Sequence, residues 1–535
     1  MRKKIIEIIL FLSVVALASV FRLTNLELME FKADEATNLL LATRLVSGHS
    51  ILPGGIATSV GILNPPFFIY LLTPFTFISQ NPKFIAFIIA FINCLSIGLL
   101  FVVIKKYYNQ KLAIITSSLI ALSPWSILFS RKIWPPDLVL PFAVAILYSL
   151  HKIVIEKKMK FWIILTASLI FLFQLDLAYL FFSSILMVFL ILSEKRINIK
   201  YIIIGFIIGI TPLFPYINYQ LKNSCPDCSI ATTLGNKLAI KRSLSIFIKP
   251  FQITNQGDFS RQILGSDTSV FAGNFPAIYN SKIIYYLEYV LIPIGAFIFW
   301  ARYKKHRFLV YSVFSVPVLY FLFRIQPSMH YFAVLMPFLL IFIGVAIEKF
   351  ISLENKLLKY IASFLFLTIV IYSVFFNAAF FNFINMRKGT GGDYGSSFDK
   401  TYASLQKQFL TYKDKKDFRE IILSSYIPLN LMYGSSSFTQ MLYPYNQIKK
   451  ELNNLEEDLK NFPDNPITLR KLTAFNTTRL NKSNLDNLAE KTKNIPGYKP
   501  IYKEALFLYL QTNYKKQYDG GITSFTFEYP QHWKL

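Results

Sequence analysis

The chain has 535 residues, 54% of them hydrophobic and only 16% charged, with 56 Lys and Arg against 30 Asp and Glu for a formal charge of +26. Soluble domains carry about a quarter charged residues, and here the apolar excess is gathered into long runs, so composition excludes an ordinary soluble protein and predicts a polytopic membrane protein. The positive charge does not point to nucleic acid, because the basic residues sit in short clusters between apolar runs, as they do in cytoplasmic loops.

Met1-Arg2-Lys3-Lys4 opens a first apolar run that reaches about Leu23. A retained helix is expected; the alternative is a cleaved signal peptide, since Ala16-Leu17-Ala18 resembles a cleavage site. Either way the N-terminal side is cytoplasmic and the following loop lies outside. Further candidate spans fall at about 84–104, 111–129, 136–154, 161–175, 178–193, 200–220, 284–301, 308–324, 331–348 and 358–380, which with the first makes about eleven. Alternation then puts Lys105-Lys106, Glu156 to Lys160, Glu194-Lys195-Arg196, Arg302 to Arg307 and Glu348 to Lys359 all on one side, which is the positive-inside pattern. The same alternation puts segments 24–83, 221–282 and 382–535 outside. In the tail, Ile448 to Asn461 reads as helix and Ile522 to Tyr529 as strand. The expected architecture is an α-helical polytopic membrane protein of the plasma membrane, with a transmembrane domain at 1–381 and an extracytoplasmic C-terminal α/β domain at 382–535.

Cys225-Pro226-Asp227-Cys228 lies in the second outside loop, where a local disulfide, an inert reduced pair and a redox motif are all open readings; Cys94 reads as a core residue. One cysteine pair lacks the other two ligands of a zinc site.

The first outside loop carries Glu30-Phe31-Lys32-Ala33-Asp34-Glu35-Ala36. The plain reading is a helix N-terminus, with Asp34 as cap and Glu35 complementing the dipole of a helix over 36–47. The functional reading is a general base at the membrane interface, taking the proton of an acceptor hydroxyl as it attacks a sugar carbon. Further on, Asn64-Pro65-Pro66-Phe67 precedes an apolar helix and sets how the chain enters it.

The order of first helix, acid pair Asp34-Glu35 and Asn64-Pro65-Pro66-Phe67 resembles the C-type superfamily of integral-membrane glycosyltransferases, among them the protein O-mannosyltransferases and lipid A aminoarabinose transferases. Leu122-Ser123-Pro124-Trp125 through Ser130-Arg131, His330-Tyr331-Phe332 with Met336-Pro337-Phe338, and Gly389 to Gly395 are similar to segments of these proteins, so the resemblance covers about residues 1–395. It implies a polyprenyl-phosphate sugar donor, an active site at the outer interface, and transfer of a hexosyl or pentosyl group with inversion, with Asp34 at the catalytic position and Glu35 beside it. Asn64 departs from the aminoarabinose transferases, which carry there a Lys that helps hold the phosphate.

A departing lipid phosphate needs fixed cations. Arg131, Lys132, Arg324 and His330 stand at expected outside turns and are the candidates for binding the donor phosphate, against the alternative that each snorkels to headgroups. Asp137 and Asp176 are possible second acids, Asp137 pairing Arg131 or holding a metal. No cofactor is expected and a divalent metal is not favoured, because a donor already on lipid phosphate has no nucleotide diphosphate to clamp. The glycine-rich 389–395 has the wrong spacing and setting for a dinucleotide site and reads as an exit from the membrane or a segment folding over the active site. The acceptor is open among protein, lipid and glycan. Two competing functions share the architecture: a transporter or flippase, which would place charged groups mid-span, and a lipid-linked polymer ligase or polymerase of the cell envelope.

Overall fold

The computed structural model describes residues 2–46, 62–194, 197–222, 243–325 and 328–403, with a few isolated positions between them; the expected C-terminal helix Ile448 to Asn461 and strand Ile522 to Tyr529 lie outside the described residues. In chain order the longer helices are α1 (Arg2–Leu23), α2 (Ala33–Val46), α3 (Phe67–Ile78), α4 (Pro82–Tyr107), α5 (Gln110–Leu122), α6 (Pro124–Leu128), α7 (Val139–Val154), α8 (Trp162–Leu175), α9 (Tyr179–Ser193), α10 (Ile199–Ile210), α11 (Phe214–Lys222), α12 (Lys282–Arg302), α13 (Arg307–Leu322), α14 (Met336–Ile351) and α15 (Lys356–Arg387). Among the described residues five helical runs, Ile5–Leu23, Pro82–Tyr107, Pro135–Val154, Ile199–Lys222 and Lys356–Arg387, are long and apolar enough to cross a bilayer, and α3, α5 and α9 are shorter apolar helices. The chain is a mostly helical, multi-pass membrane protein.

Two compact units share the chain. The first comprises Met1–Glu35, Lys83–Phe214 and Ala239–Lys400, the second Ala36–Pro82, Pro215–Leu238 and Thr401–Leu535. Within the first unit α14 is buried on every side from Met336 to Glu348, the pattern of a central helix. At the margin, α1 leaves Ile5, Ile8, Ile9 and Leu12 about half exposed, and α10 does the same with Ile203, Phe206 and Ile207, so these faces meet lipid. Without a hydrophobic drive between helices in lipid, close backbone approach holds the bundle. At Gly205 of α10 a Cβ would come within 2.5 Å of the Ile163 carbonyl on α8. Turns are set locally: the Asn109 side chain accepts the Leu112 N–H to start α5, and Ser123 with Pro124 behind it starts α6.

The basic loops gather at one end of this unit. Lys105 pairs with Glu7 at 2.8 Å, Lys157 with Glu194 at 2.8 Å and Arg302 with Glu348 at 2.7 Å, while Lys106 and Lys152 converge on Glu156. Half-exposed pairs of this kind contribute little stability each. Beneath them His306 is packed 4.7 Å from His151, ring to ring, and neither nitrogen of His306 has a hydrogen-bond partner among the described residues. Burial, reinforced by His151 and Lys305, lowers its pKa to about 3. Below its ordinary value of 6.5 the unfolded chain binds the proton first, so stability present above that pH is lost as pH falls toward 3. The apparent melting temperature of the purified protein should drop between pH 7 and pH 5, and His306→Phe should blunt that drop; an equal drop in the variant would refute the assignment.

In the second unit, Asn64 closes the turn ahead of α3. Its carbonyl accepts the Gly55 N–H at 2.7 Å, and its backbone and side-chain N–H groups donate to the Ile56 carbonyl at 3.1 and 3.0 Å. Pro65 and Pro66 follow and α3 begins at Phe67. Cys225 and Cys228 form a disulfide, the staple reading of the C-x-x-C, and Cys94 is a buried free thiol in the first unit.

Candidate active site

At the end of the first unit away from the basic loops, four stretches converge: the loop after α1, the turn between α6 and α7, the turn between α8 and α9, and the approach to α14. Two arginines tie the first two together. Arg22, fully buried near the end of α1, donates to the carbonyls of Ala121 at 2.6 Å and Ile120 at 3.1 Å and to Ser126 Oγ at 2.8 Å. Arg131 reaches back to the carbonyls of Phe21 at 2.7 Å and Asn25 at 2.6 Å, with its guanidinium 4.2 Å over the Phe381 ring. The Phe21 carbonyl belongs to the last turn of α1, where a buried cation is well placed, and the Asn25 carbonyl also accepts the Leu28 N–H at 3.0 Å. Burial lowers the Arg131 pKa to about 10, which leaves it charged.

The next residue does something different. Lys132 Nζ lies 2.9 Å from Glu30 Oε2 and 3.7 Å from Glu35 Oε1, and 4.2 Å over the Trp134 ring. Its backbone N–H donates to Asp137 Oδ2 at 2.9 Å. Asp137 is fully buried, and its other oxygen has no hydrogen-bond partner among the described residues. Glu30, Glu35 and Lys132 are each at most 6% exposed. Burial pulls the Lys132 pKa down, but Glu30, Glu35 and Asp137 outweigh it and the net direction is up. For Glu35 burial dominates, Lys132 offsets part of it and Glu30 adds to it, raising the carboxyl to about 7.

Asp34 and Glu35 occupy the first turn of α2, and they divide the work. Glu35 Oε2 accepts the Lys32 N–H at 2.8 Å, so the contact that starts the helix is made by Glu35, three residues on, and not by Asp34 as the sequence suggested. Asp34 is exposed.

Asp176 and His330 form a second group. His330 Nε2 is 3.7 Å from Asp176 Oδ2, and its Nδ1 is 2.9 Å from Ser328 Oγ. Asp176 Oδ1 accepts the Ala178 N–H at 2.9 Å. Burial raises Asp176 to about 7; burial and then Lys132 lower His330 to about 3, so this imidazole is neutral and acts through hydrogen bonds. The Trp134 ring, 4.9 Å from His330, joins the two groups. Arg324 is exposed in the turn after α13, with a left-handed backbone at φ 56°.

The glycine-rich segment is packed against this end. α15 stops at Lys388, and the chain turns back so that the Phe398 N–H donates to Met29 O at 2.8 Å and the Phe31 N–H to Ser396 O at 3.3 Å. On its other side Asp393 N–H donates to Gln262 O at 3.0 Å and Gly391 N–H to Asp267 Oδ2 at 2.8 Å. Gly392 is required by this approach: a Cβ there would sit 2.5 Å from Gly265 N and 2.6 Å from Gln262 O. Tyr394 hydroxyl donates to Leu28 O, and Lys32 Nζ to Asp393 O. A cleft of about 430 Å³ opens between the end of α1 and α15, lined by Phe21, Asn25, Glu27, Arg131, Phe381 and Asn382 among others. Arg131 and Phe381 also line a small cavity on which Glu30 and Lys132 open. Asp34 lines neither of the two.

The structure therefore brings Glu35, Lys132 and Asp137 together, pairs His330 with Asp176, and places Arg131 on backbone carbonyls. Glu30, Trp134 and Tyr394 join the site although sequence reasoning did not single them out. The signal available for Glu30 was its place two residues before Lys32 in the same acidic run.

Among known proteins, the dolichyl-phosphate-mannose-protein mannosyltransferase family matches residues 64–219. Of solved structures, ArnT from Cupriavidus metallidurans bound to undecaprenyl phosphate is similar at 12% identity and TM-score 0.51, over 81% of this chain and 85% of that one. The Archaeoglobus fulgidus oligosaccharyltransferase in complex with Zn and sulfate is similar at 14% identity and TM-score 0.46, over 77% of this chain. The chain spans only 56% of the length of that archaeal protein. No curated protein matches. At 12% identity the likeness to ArnT is one of fold, and the mannosyltransferase family model matches residues 64–219 of the chain.

Proposed function

We propose that the chain transfers a single hexosyl or pentosyl group from a polyprenyl-phosphate donor to an acceptor hydroxyl on the extracytoplasmic side of the plasma membrane, with inversion and with Asp34 as general base. The acceptor oxygen attacks the anomeric carbon, the bond from that carbon to the phosphate oxygen breaks, the lipid phosphate leaves with the electron pair, and Asp34 takes the proton. The observation that carries this reading is the exposed Asp34 beside a buried Glu30–Lys132–Glu35 cluster, at the end of the bundle away from the basic loops. ArnT was solved with undecaprenyl phosphate, which favours a lipid-phosphate donor here.

In this reading the membrane carries about eleven spans with the N-terminus in the cytoplasm, domain 1–381 holds the reaction, and domain 382–535 lies outside. Arg324, exposed in its turn, is the cation for the leaving phosphate, with neutral His330 as a hydrogen-bond donor. Asp176 orients His330. The test is to assay the purified full chain with a panel of radiolabelled polyprenyl-phosphate sugars. One donor should give labelled product of inverted anomeric configuration. A retained configuration, or no transfer from any such donor to protein, lipid or glycan acceptors, would overturn the proposal.

A further inference from the structure

We propose that Lys132, anchored by Glu30, is a positioning residue for Glu35 behind Asp34, and not a ligand of the donor phosphate. This deepens the reading above and rests on it for the role of Asp34. Three contacts pin Lys132. Its backbone N–H is held by Asp137 Oδ2, its ammonium lies over the Trp134 ring at 4.2 Å, and Glu30 accepts from it at 2.9 Å. The remaining direction faces Glu35 Oε1 at 3.7 Å. The cavity on which Lys132 opens, about 10 Å³, has room for a water and not for a phosphate, and a phosphate brought there would meet Glu30, Glu35 and Asp137. Lys132 is equally unable to snorkel, being 6% exposed. Arg131, one residue earlier, donates to the carbonyls of Phe21 and Asn25, so the turn between α6 and α7 offers structural cations and Arg324 is left for the phosphate.

The arrangement acts through Glu35. Its other oxygen accepts the Lys32 N–H and so fixes the first turn of α2, which presents Asp34. Lys132 favours the anion; Glu30 and burial oppose it. The charged groups around Glu35 are Lys132 from the turn between α6 and α7, Glu30 and Lys32 from its own loop, and Asp137 at the start of α7; the phenol of Tyr394 also stands near. Glu35 therefore exchanges its proton near neutral pH, and two neighbours push that exchange in opposite directions.

This gives a test by sign. Transfer should fall as pH is lowered through about 7 in the wild type. Glu30→Gln removes an anion and frees Lys132 for Glu35, so the fall moves to lower pH; Lys132→Met moves it to higher pH, each by about one unit. Glu35→Gln abolishes it. If Lys132→Met instead raises the donor KM and leaves the pH midpoint in place, Lys132 is a phosphate ligand and the proposal fails. If both variants keep the wild-type midpoint, it also fails. Glu30→Gln, nearly isosteric, carries the test should Lys132→Met not fold. A second readout needs no sugar transfer. The folded state holds the Glu35 proton more tightly than the unfolded chain does, so stability present below pH 4.5 is lost as pH rises to about 7. Glu30→Gln should shift this window of the melting temperature down and Lys132→Met up. Opposite shifts without any sugar transfer would keep the positioning pair and reject the enzymatic reading; unmoved windows would reject the pair.

Discussion

Asp34→Asn should cut sugar transfer by about 10²- to 10⁴-fold, the range supplied by a positioned general base, while the protein still folds and binds its donor. The amide has nearly the shape of the carboxylate but cannot take the acceptor's proton. Folding is spared for a structural reason. Asp34 is exposed, and the contact that starts α2 belongs to Glu35. What is lost is one anion near a helix N-terminus, worth about 0.3–1 kcal/mol. Initial rates at saturating donor, with the melting temperature measured alongside, separate the two effects. Full activity in the variant would remove Asp34 from the chemistry, and a collapsed melting temperature would make it a structural residue.

Gly295→Ala should cost the fold more than any other small substitution in the bundle. A Cβ at Gly295 of α12 would lie 1.8 Å from the carbonyl oxygen of Phe342 on α14 and 2.5 Å from its carbon. Both are backbone atoms of the central helix, so no rotamer change relieves the overlap and the two helices must part. Overpacking that side chains can absorb costs about 1–3 kcal/mol, and here the helix interface that would absorb it rests on close backbone approach. The expected result is loss of monodisperse protein in detergent, read by size-exclusion chromatography. Gly273→Ala is the control, since a Cβ there meets nothing within 4 Å, and it should behave as wild type. A normal elution profile for Gly295→Ala would show that α12 and α14 pack less closely than described.

Asp34 and Lys132 illustrate how unequally the site could be read from the sequence. The acid pair was legible because it follows a first apolar run at short range, where one dimension suffices. The roles of the cations were not. Arg131 and Lys132 are neighbours with the same charge in the same turn, yet one donates to a carbonyl 110 residues away and the other to a carboxylate 102 residues away. Nothing local distinguishes them, because each side chain leaves the turn toward a different neighbour. Likewise the glycines of 389–395 were visible as a motif. Their reason, backbone contact of Gly392 with Gly265, depends on a segment more than a hundred residues upstream.

The sequence by itself determined that this is a multi-pass helical membrane protein, because runs of apolar residues long enough to cross a bilayer leave the backbone few alternatives. It also determined where the basic loops fall, since their alternation is written in order along the chain, and it carried the superfamily resemblance. Tertiary structure alone decided which charges meet. Burial and pairing arise from how the ends of α1, α6, α7 and α14 converge, and that convergence makes Glu30 and Lys132 partners, sets Glu35 on the other side of the Lys132 ammonium and leaves Asp34 in the open.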